Sequence, residues 1–317
     1  METTRNYVNG EWVDSASART APNVNPADPG DVIGHVRLST SAEAEAAISA
    51  AERALPGWRE TPAPQRGRAI ERARQALARR TDECAAALTR EEGKILREAK
   101  GEVLKSLNVL EFMAGEAMRL TGETVPSEMP STFAYTVRRP IGVVGVITPW
   151  NFPVAIPVWK IAPALAAGCT VVFKPATITP ETARIVVECF NEGGLPPGVL
   201  NLVYGSGGEV GDTLVRHPAV RAISFTGSND VGIAAYAAAA ALGKKVQCEM
   251  GGKNPVLVLD DADLELACDG IVQGAFGSTG QRCTATSRLV VTEGVADRLT
   301  KMIVERAPKV EMGPSVD

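Results

Sequence analysis

One cysteine of this chain lies in surroundings that suit covalent chemistry. Cys283 stands in residues 280–288, among small and hydroxyl-bearing side chains. A cysteine attacks as its thiolate, and a nearby positive charge such as that of Arg282 favours the thiolate. A buried structural thiol is the commoner role of a cysteine. The residues alone therefore suggest a nucleophile but leave the structural role open.

Glu249 is the acid that could work with such a nucleophile. It follows the apolar stretch 245–248 and precedes Gly251 and Gly252. A carboxylate at a partly apolar strand end is suited to accept a proton from water, which is the task of a general base. The alternative is an ordinary surface glutamate between a strand and a loop.

Asn151 could supply a third component of the same chemistry. It lies in residues 148–153, directly after a predicted strand. Thiolate attack on a carbonyl carbon creates an oxyanion, which a side-chain amide and the backbone N–H of Cys283 could stabilise together. An asparagine in a turn before a helix is a common structural alternative.

Regularly alternating strands and helices must position these three residues. Short apolar segments typical of buried strands occupy 141–147, 169–173, 199–203, 220–225 and 245–249. Helical patterns lie between them at 154–167, 180–192, 208–217 and 229–242. This order predicts an α/β fold with a parallel sheet and helices on both of its faces. A strand at 255–259 and a helix at about 263–276 begin a second domain, which carries Cys283.

The first part of the chain has a different pattern. Residues 1–40 place turn-forming residues between short apolar alternations, which predicts hairpins or extended arms. From Ser41 to about Leu120 the pattern becomes helical, with Thr40 and Glu43 placed to cap the first helix. Residues 123–139 then change to β-forming residues and prolines.

The composition excludes several classes of partner. Of 317 residues, 45% are hydrophobic and 22% are charged, which is ordinary for a globular protein of about two domains. The net charge of -4 is spread along the chain, so no nucleic-acid partner is expected. No apolar stretch approaches the ~20 residues that span a bilayer. The six cysteines are widely spaced and there are only two histidines, so we expect no metal site and no disulfide framework. A cytoplasmic location is the default expectation.

A ligand-binding edge is suggested by residues that follow the predicted strands. Lys174 comes at the carboxyl end of one strand, where doubly wound sheets bind ligands, although a solvated lysine is the alternative. No Gly-x-Gly-x-x-Gly motif follows a strand, and the nearest candidate, residues 205–211, has its last glycine one place late. Gly227 and Ser228 precede a predicted helix whose N-terminus could face a phosphate group, or could simply be capped.

Three strings together resemble the aldehyde dehydrogenase superfamily: Thr-Pro-Trp-Asn-Phe-Pro at 148–153, Glu-Met-Gly-Gly-Lys at 249–253 and Gly-Gln-Arg-Cys-Thr at 280–284. The resemblance implies that Cys283 is the nucleophile, Glu249 the base and Asn151 the oxyanion donor. It also implies a Rossmann-like cofactor-binding domain formed by residues 1–122 and 141–250. Residues 123–140 would be a hairpin that helps to build a homo-oligomer, and residues 251–317 the first part of a catalytic domain.

The same resemblance implies a nicotinamide cofactor. Lys174 would donate to the adenosine ribose hydroxyls. Strict NAD users of the superfamily often have an acid three residues after this lysine, where this chain has Thr177, so NAD and NADP are both expected. The residues expected at the cofactor are Thr148, Pro149, Trp150, Lys174, Ala176, Thr177, Gly207, Gly211, Gly227, Ser228, Gly232, Met250 and Gly251.

The activity implied by the resemblance is NAD(P)-dependent oxidation of an aldehyde to a carboxylic acid through a cysteine thioester. Relatives that transfer the acyl group to coenzyme A generally lack the glutamate, so Glu249 favours hydrolysis. Residues 277–288 look most like those of 2,5-dioxopentanoate (α-ketoglutarate semialdehyde) dehydrogenases. Succinate semialdehyde or another aldehyde is the alternative substrate.

The end of the chain at Asp317 resembles the middle of a superfamily member, because residues 312–317 are typical of a position within the catalytic domain. We therefore expect a C-terminally truncated chain, and little aldehyde oxidation by residues 1–317 alone. An inactive truncated fragment and a non-catalytic nucleotide-binding relative are the alternative classes. The joint presence of Asn151, Lys174, Glu249 and Cys283 argues against the second.

Overall fold

The computed structural model describes residues 3–311 and 313. The expectation for residues 312–317 therefore lies outside the described residues, apart from Gly313.

The strands are β1 (Asn6–Val8), β2 (Glu11–Val13), β3 (Thr20–Val24), β4 (Val32–Arg37), β5 (Thr124–Val125), β6 (Ala134–Tyr135), β7 (Val143–Ile147), β8 (Thr170–Lys174), β9 (Leu200–Leu202), β10 (Val220–Gly227), β11 (Lys245–Met250), β12 (Asn254–Val258) and β13 (Thr286–Val291). The α-helices are α1 (Ser41–Glu60), α2 (Ala63–Arg79), α3 (Thr81–Glu92), α4 (Leu96–Ala117), α5 (Ala155–Ala166), α6 (Pro180–Glu192), α7 (Asp212–Arg216), α8 (Asn229–Ala241), α9 (Leu264–Phe276) and α10 (Glu293–Arg306). A π-helical turn covers Gly207–Gly211, and 3₁₀ turns cover Gly277–Gly280 and Ala307–Lys309.

The central sheet of the described residues has seven strands in the order β11-β10-β7-β8-β9-β1-β2. The five strands from β11 to β9 are parallel, which confirms the predicted α/β fold. The helix expected at 208–217 is instead divided into the π-helical turn and the short α7. The π-helical turn begins with Gly207 and Gly208, which do not favour a regular α-helix.

Helices cover both faces of the parallel sheet, because successive side chains of a buried strand point to opposite faces. On β7, Val144 and Val146 pack into the cluster that contains Ile161 of α5 and Ile185 of α6. Val143 faces the other side of the sheet and packs into the cluster that contains residues of α1, α7 and α8. The continuous apolar sequence of these strands follows from burial on both sides.

The N-terminal segment extends the same sheet. Asn9 and Gly10 have φ values of 53° and 86° and form the tight turn between β1 and β2, as expected for an Asn-Gly hairpin. β1 then pairs antiparallel with β9, a long-range contact that the sequence pattern does not reveal. The predicted start of α1 is confirmed: Thr40 Oγ1 accepts from the Glu43 N–H, and the Thr40 N–H donates to the Glu43 carboxylate.

The residues after β11 form a separate apolar cluster. β12 and β13 pair in parallel, and α9 and α10 pack beside them around Val258, Cys268 and Leu299. Leu257 and Val290 of these strands stay exposed. The short β5–β6 hairpin lies within residues 123–140. The division into a cofactor-binding domain, a hairpin and a partial catalytic domain remains a prediction. In the described part of the chain, no helix combines the length and the apolar character needed to cross a bilayer.

Candidate active site

The residues predicted to contact a cofactor lie along one edge of the central sheet. Parallel strands place their carboxyl ends together, and these residues follow the ends of β7, β8, β9, β10 and β11. β8 lies on one side of β7 and β10 on the other, so the strand order changes direction at β7. Such a switch point opens a crevice that binds ligands in doubly wound sheets. The fold therefore brings the predicted set to the edge of the sheet where such a crevice is expected.

Lys174 ends β8 inside the protein and not on its surface. Its side chain is 6% exposed, and Nζ donates to the carbonyl oxygen of Pro175 at 2.7 Å. No carboxylate of the described residues forms an ion pair with it. Burial lowers the pKa of Lys174 to about 8. A Cβ atom added at Gly211 would lie 3.8 Å from Lys174 Cδ, so the loop after β9 passes beside this lysine.

The buried charge of Lys174 predicts a pH-dependent stability. A lysine in the unfolded chain has a pKa near 10.5, so between about pH 8 and 10.5 the unfolded state binds more protons and the free energy of unfolding rises with pH. We expect Lys174→Met to increase the free energy of unfolding at pH 7 by roughly 1–3 kcal/mol, and to flatten this rise. Urea denaturation at pH 7 and pH 10 measures both.

The matched control is Lys301→Met, at an exposed lysine of α10. It should change neither the free energy of unfolding at pH 7 nor its pH dependence. A Lys174→Met protein that is less stable at pH 7 and keeps the wild-type slope would contradict the account of Lys174.

The ends of β7 and β10 have the features that a phosphate-containing ligand requires. Ser228 is the N-cap of α8, and its hydroxyl makes no capping hydrogen bond. A Cβ atom at Gly232 would lie 2.5 Å from Met250 Sδ and 3.0 Å from Phe225 Cε1, so α8 approaches the ends of β10 and β11 closely at this glycine. Thr148 Oγ1 is buried without a hydrogen-bond partner among the described residues. A free helix N-terminus, a close-packed glycine and an unpartnered hydroxyl fit a dinucleotide.

Asn151 and the loop that carries Cys283 are directly joined. Asn151 Nδ2 donates to the Gln281 carbonyl oxygen at 2.7 Å, which leaves its second N–H free for another acceptor. Cys283 is exposed. Its carbonyl oxygen accepts from Asn254 Nδ2 at 2.8 Å, and that of Ala285 accepts from the same amide at 3.1 Å. The predicted oxyanion donor thus lies beside the predicted nucleophile's loop.

One expectation about the surroundings of these residues is wrong. Glu249 is exposed, and not partly enclosed by apolar groups, because β11 is the edge strand of the sheet. Its carboxylate accepts from Gln247 Nε2 at 2.9 Å. The guanidinium of Arg282, the expected positive charge near Cys283, also has an acidic neighbour. It lies 3.3 Å from a carboxylate oxygen of Glu98, which partly neutralises its charge.

Sequence reasoning missed Lys160, a lysine within the apolar helix α5. It is 6% exposed, and Nζ donates at 3.1 Å to Ser224 Oγ, the Phe225 carbonyl oxygen and Gln247 Oε1. Gln247 in turn donates to Glu249, so a hydrogen-bonded chain connects the lysine to the predicted base. Burial lowers the pKa of Lys160 to about 8, although Glu249 acts in the opposite direction. The sequence signal that could have identified Lys160 is a single charged residue in an otherwise apolar helix.

Comparison with known proteins gives one family throughout. The family described as "Aldehyde dehydrogenase family" matches residues 12–317. The alpha-ketoglutaric semialdehyde dehydrogenase of Bacillus subtilis is 49% identical over 98% of this chain and 64% of its own length. The 2,5-dioxopentanoate dehydrogenase of Saccharolobus solfataricus is 43% identical over 97% of this chain and 64% of its own length.

Solved structures agree with the sequence comparison. An E. coli enzyme described as NADP dependent superposes with a TM-score of 0.96 at 39% identity, over 99% of this chain and 65% of its own. Betaine aldehyde dehydrogenase from Staphylococcus aureus, in complex with NAD+, superposes with a TM-score of 0.96 at 38% identity, over 99% of this chain and 64% of its own. The chain thus spans slightly less than two thirds of the length of these relatives.

Proposed function

Because this chain belongs to the aldehyde dehydrogenase family, we propose that it serves the NAD(P)-dependent oxidation of an aldehyde to a carboxylic acid. The observation that carries the proposal is the 2.7 Å hydrogen bond between Asn151 and the Cys283 loop. This bond connects the carboxyl edge of the parallel sheet to the loop that carries the exposed Cys283. The chain spans 64% of the curated relatives' length, so the activity is proposed for the full-length gene product.

In this proposal Cys283 attacks the aldehyde carbon through its thiolate. The remaining N–H of Asn151 and the backbone N–H of Cys283 stabilise the oxyanion that forms. The adduct carbon would give up a hydride to a bound nicotinamide cofactor as the oxyanion collapses to a carbonyl, which leaves a thioester on Cys283. Glu249 then takes a proton from water, which attacks the thioester and releases the acid. The exposed position of Glu249 gives it access to water, and Gln247 orients its carboxylate.

The cofactor is NAD or NADP, which supplies the oxidising equivalent when bound. Lys174 and Thr177 would hold the adenosine ribose, and Thr177 brings no negative charge that would repel a 2′-phosphate. The N-terminus of α8, with Gly227 and Ser228, would bind the pyrophosphate. The structures of similar proteins described as NADP dependent and as bound to NAD+ support both choices.

We propose an anionic semialdehyde as the substrate, with 2,5-dioxopentanoate as the first candidate and succinate semialdehyde as the alternative. A groove of about 450 Å³ runs along α4 and α5, and its described lining is Lys105, Asn108, Val109, Phe112, Met113 and Trp159. Lys105 is the charged member of this set. Glu102, which precedes Lys105 on α4, contacts the start of α5 beside Asn151, so the groove lies on the two helices that reach the Asn151 loop. A cation there complements the carboxylate of a semialdehyde.

The proposed function is tested by supplying the full-length gene product with 2,5-dioxopentanoate and either NAD or NADP. We expect reduced cofactor and the dicarboxylic acid in equal amounts. No reduced cofactor with this or any other aldehyde would contradict the proposal.

Lys105 provides a test of the substrate class. We expect Lys105→Met to raise KM for 2,5-dioxopentanoate about tenfold, equivalent to about 1.4 kcal/mol of binding, because the carboxylate loses its ionic partner. KM for the neutral aldehyde pentanal should stay within about twofold, since it makes no such contact. Steady-state kinetics on the two substrates gives the comparison. Equal effects on both would contradict recognition of the carboxylate by Lys105.

We also propose a cytoplasmic homo-oligomer. The hairpin region exposes Phe133, Tyr135 and Val137 at 61–74% of their surfaces, and exposed apolar clusters of this kind mark protein interfaces. All six cysteines are free thiols, four of them buried, which is compatible with a reducing compartment.

A further inference from the structure

The first turn of α4 is attached to the loop that carries the cysteine. One carboxylate oxygen of Glu98 accepts from the backbone N–H of Ser278 at 3.1 Å, and the other accepts from its hydroxyl at 3.2 Å. The guanidinium of Arg282, next to Cys283, donates to Glu98 at 3.3 Å. Glu98 is half-buried and Ser278 is buried. One side chain therefore holds the loop at two points before Cys283.

This loop needs an external anchor because its backbone is strained. Ser278, Thr279 and Gly280 have φ values of 51°, 53° and 69°. Positive φ is costly for residues other than glycine, and a β-branched residue such as Thr279 rarely adopts it. Such a turn persists only when the surrounding structure fixes it. Glu98 supplies that fixation from a residue 180 positions away.

The next turn of the same helix is attached to the loop that carries Asn151. Glu102 is buried, and one of its carboxylate oxygens accepts from the N–H groups of Val154 and Ala155 at 2.9 and 3.0 Å. Its other oxygen lies 2.6 Å from Lys94 Nζ. That ammonium also donates to the Asn151 carbonyl oxygen at 2.9 Å. The pair thus holds the peptide of Asn151 and the start of α5.

Glu98 and Glu102 are four residues apart, so they share one face of α4 and are separated by one helical turn of about 6 Å. We propose that the first two turns of α4 act as a rigid template that sets the position of the Asn151 amide relative to Cys283. Glu98 and Glu102 are positioning residues in this account, and Lys94 relays the effect of Glu102. The inference rests on the proposed function, because it assigns the two loops to one oxyanion-binding site.

Glu98 gives the sharper test, since Glu102→Gln removes the carboxylate that lies 2.6 Å from the buried ammonium of Lys94 and weakens folding. In the full-length gene product, we expect Glu98→Ala to lower kcat for aldehyde oxidation about 100-fold, the effect of a displacement of about 1 Å at a reacting centre. KM for the cofactor should change less than about twofold, because the cofactor edge does not contact Glu98. Glu98→Gln keeps an acceptor for the Ser278 N–H, so its kcat should be at least about tenfold higher than that of Glu98→Ala.

A second readout separates positioning from general loss of structure. Iodoacetamide alkylates the Cys283 thiolate without an oxyanion, and Cys283 is already exposed. Its alkylation rate in Glu98→Ala should therefore stay within about threefold of wild type. Glu111→Ala, at an exposed glutamate of α4, is the matched control and should leave both rates unchanged. A kcat for Glu98→Ala within about twofold of wild type overturns the inference. So does a parallel loss of oxidation, alkylation and thermal stability.

The same set of proteins distinguishes failure of the inference from failure of the proposed function. An inactive Cys283→Ala protein together with an unaffected Glu98→Ala protein rejects only the template. A wild-type full-length protein that forms no NAD(P)H with any aldehyde rejects the proposed function itself.

Discussion

Replacement of Cys283 with alanine should abolish the formation of reduced cofactor from aldehyde by the full-length gene product. The reason is that every turnover begins with a covalent bond to its sulfur. Cofactor binding should be retained, because the residues proposed to hold the dinucleotide lie at the ends of the parallel strands. The measurements are steady-state production of NAD(P)H and a titration of cofactor binding by tryptophan fluorescence.

Cys189→Ala is the matched control for this experiment. Cys189 lies in α6, and burial raises the pKa of its thiol to about 12, so it stays protonated and unreactive. The control should keep its turnover per folded molecule. Dehydrogenase turnover in Cys283→Ala would remove Cys283 from the role of nucleophile, and the exposed position of its thiol would then need another explanation.

Glu249→Gln should allow the thioester to form and prevent its hydrolysis, because an amide does not take a proton from water. We expect a burst of at most about one equivalent of NAD(P)H per active site, and then a steady-state rate lowered about 100-fold or more. Rapid-mixing absorbance measurements separate the burst from the later turnover.

Glu265→Gln, at an exposed glutamate of α9, is the control and should show wild-type turnover. An undiminished steady-state rate in Glu249→Gln would show that another group accepts the proton. Lys160 would be the next residue to test, since it is connected to Glu249 through Gln247.

Much of the fold is predictable from local sequence because local patterns match their final surroundings. The apolar run at Val143–Ile147 is buried on both faces, as the sequence predicts for a parallel strand. Thr40 and Glu43 cap α1, and Asn9-Gly10 turns the first hairpin, each through contacts between residues close in sequence. The carboxyl ends of parallel strands lie at one edge of the sheet, so the predicted strand order alone places Lys174 and Gly227 at the same edge.

The parts that could not be predicted depend on contacts between distant residues. Glu98 reads as an ordinary helix glutamate, and its link to Arg282 over 184 positions changes what the arginine does for the cysteine. The exposure of Glu249 depends on β11 being the edge strand of the sheet, which an apolar stretch does not reveal. The pairing of β1 with β9 likewise joins residues that are far apart in the sequence, Tyr7 and Leu202. The candidate site residues could be proposed by type and motif, whereas the contacts that position them could not.

The most direct test of the account is to trap the covalent intermediate and find the residue that carries it. Glu249→Gln protein is incubated with 2,5-dioxopentanoate and NAD or NADP, denatured in acid, digested and analysed by mass spectrometry. We predict an added acyl mass on the peptide that contains Cys283, present only when aldehyde and cofactor are both supplied. An acyl mass on another residue, or NAD(P)H formation with Cys283 unmodified, would contradict thioester catalysis at this cysteine.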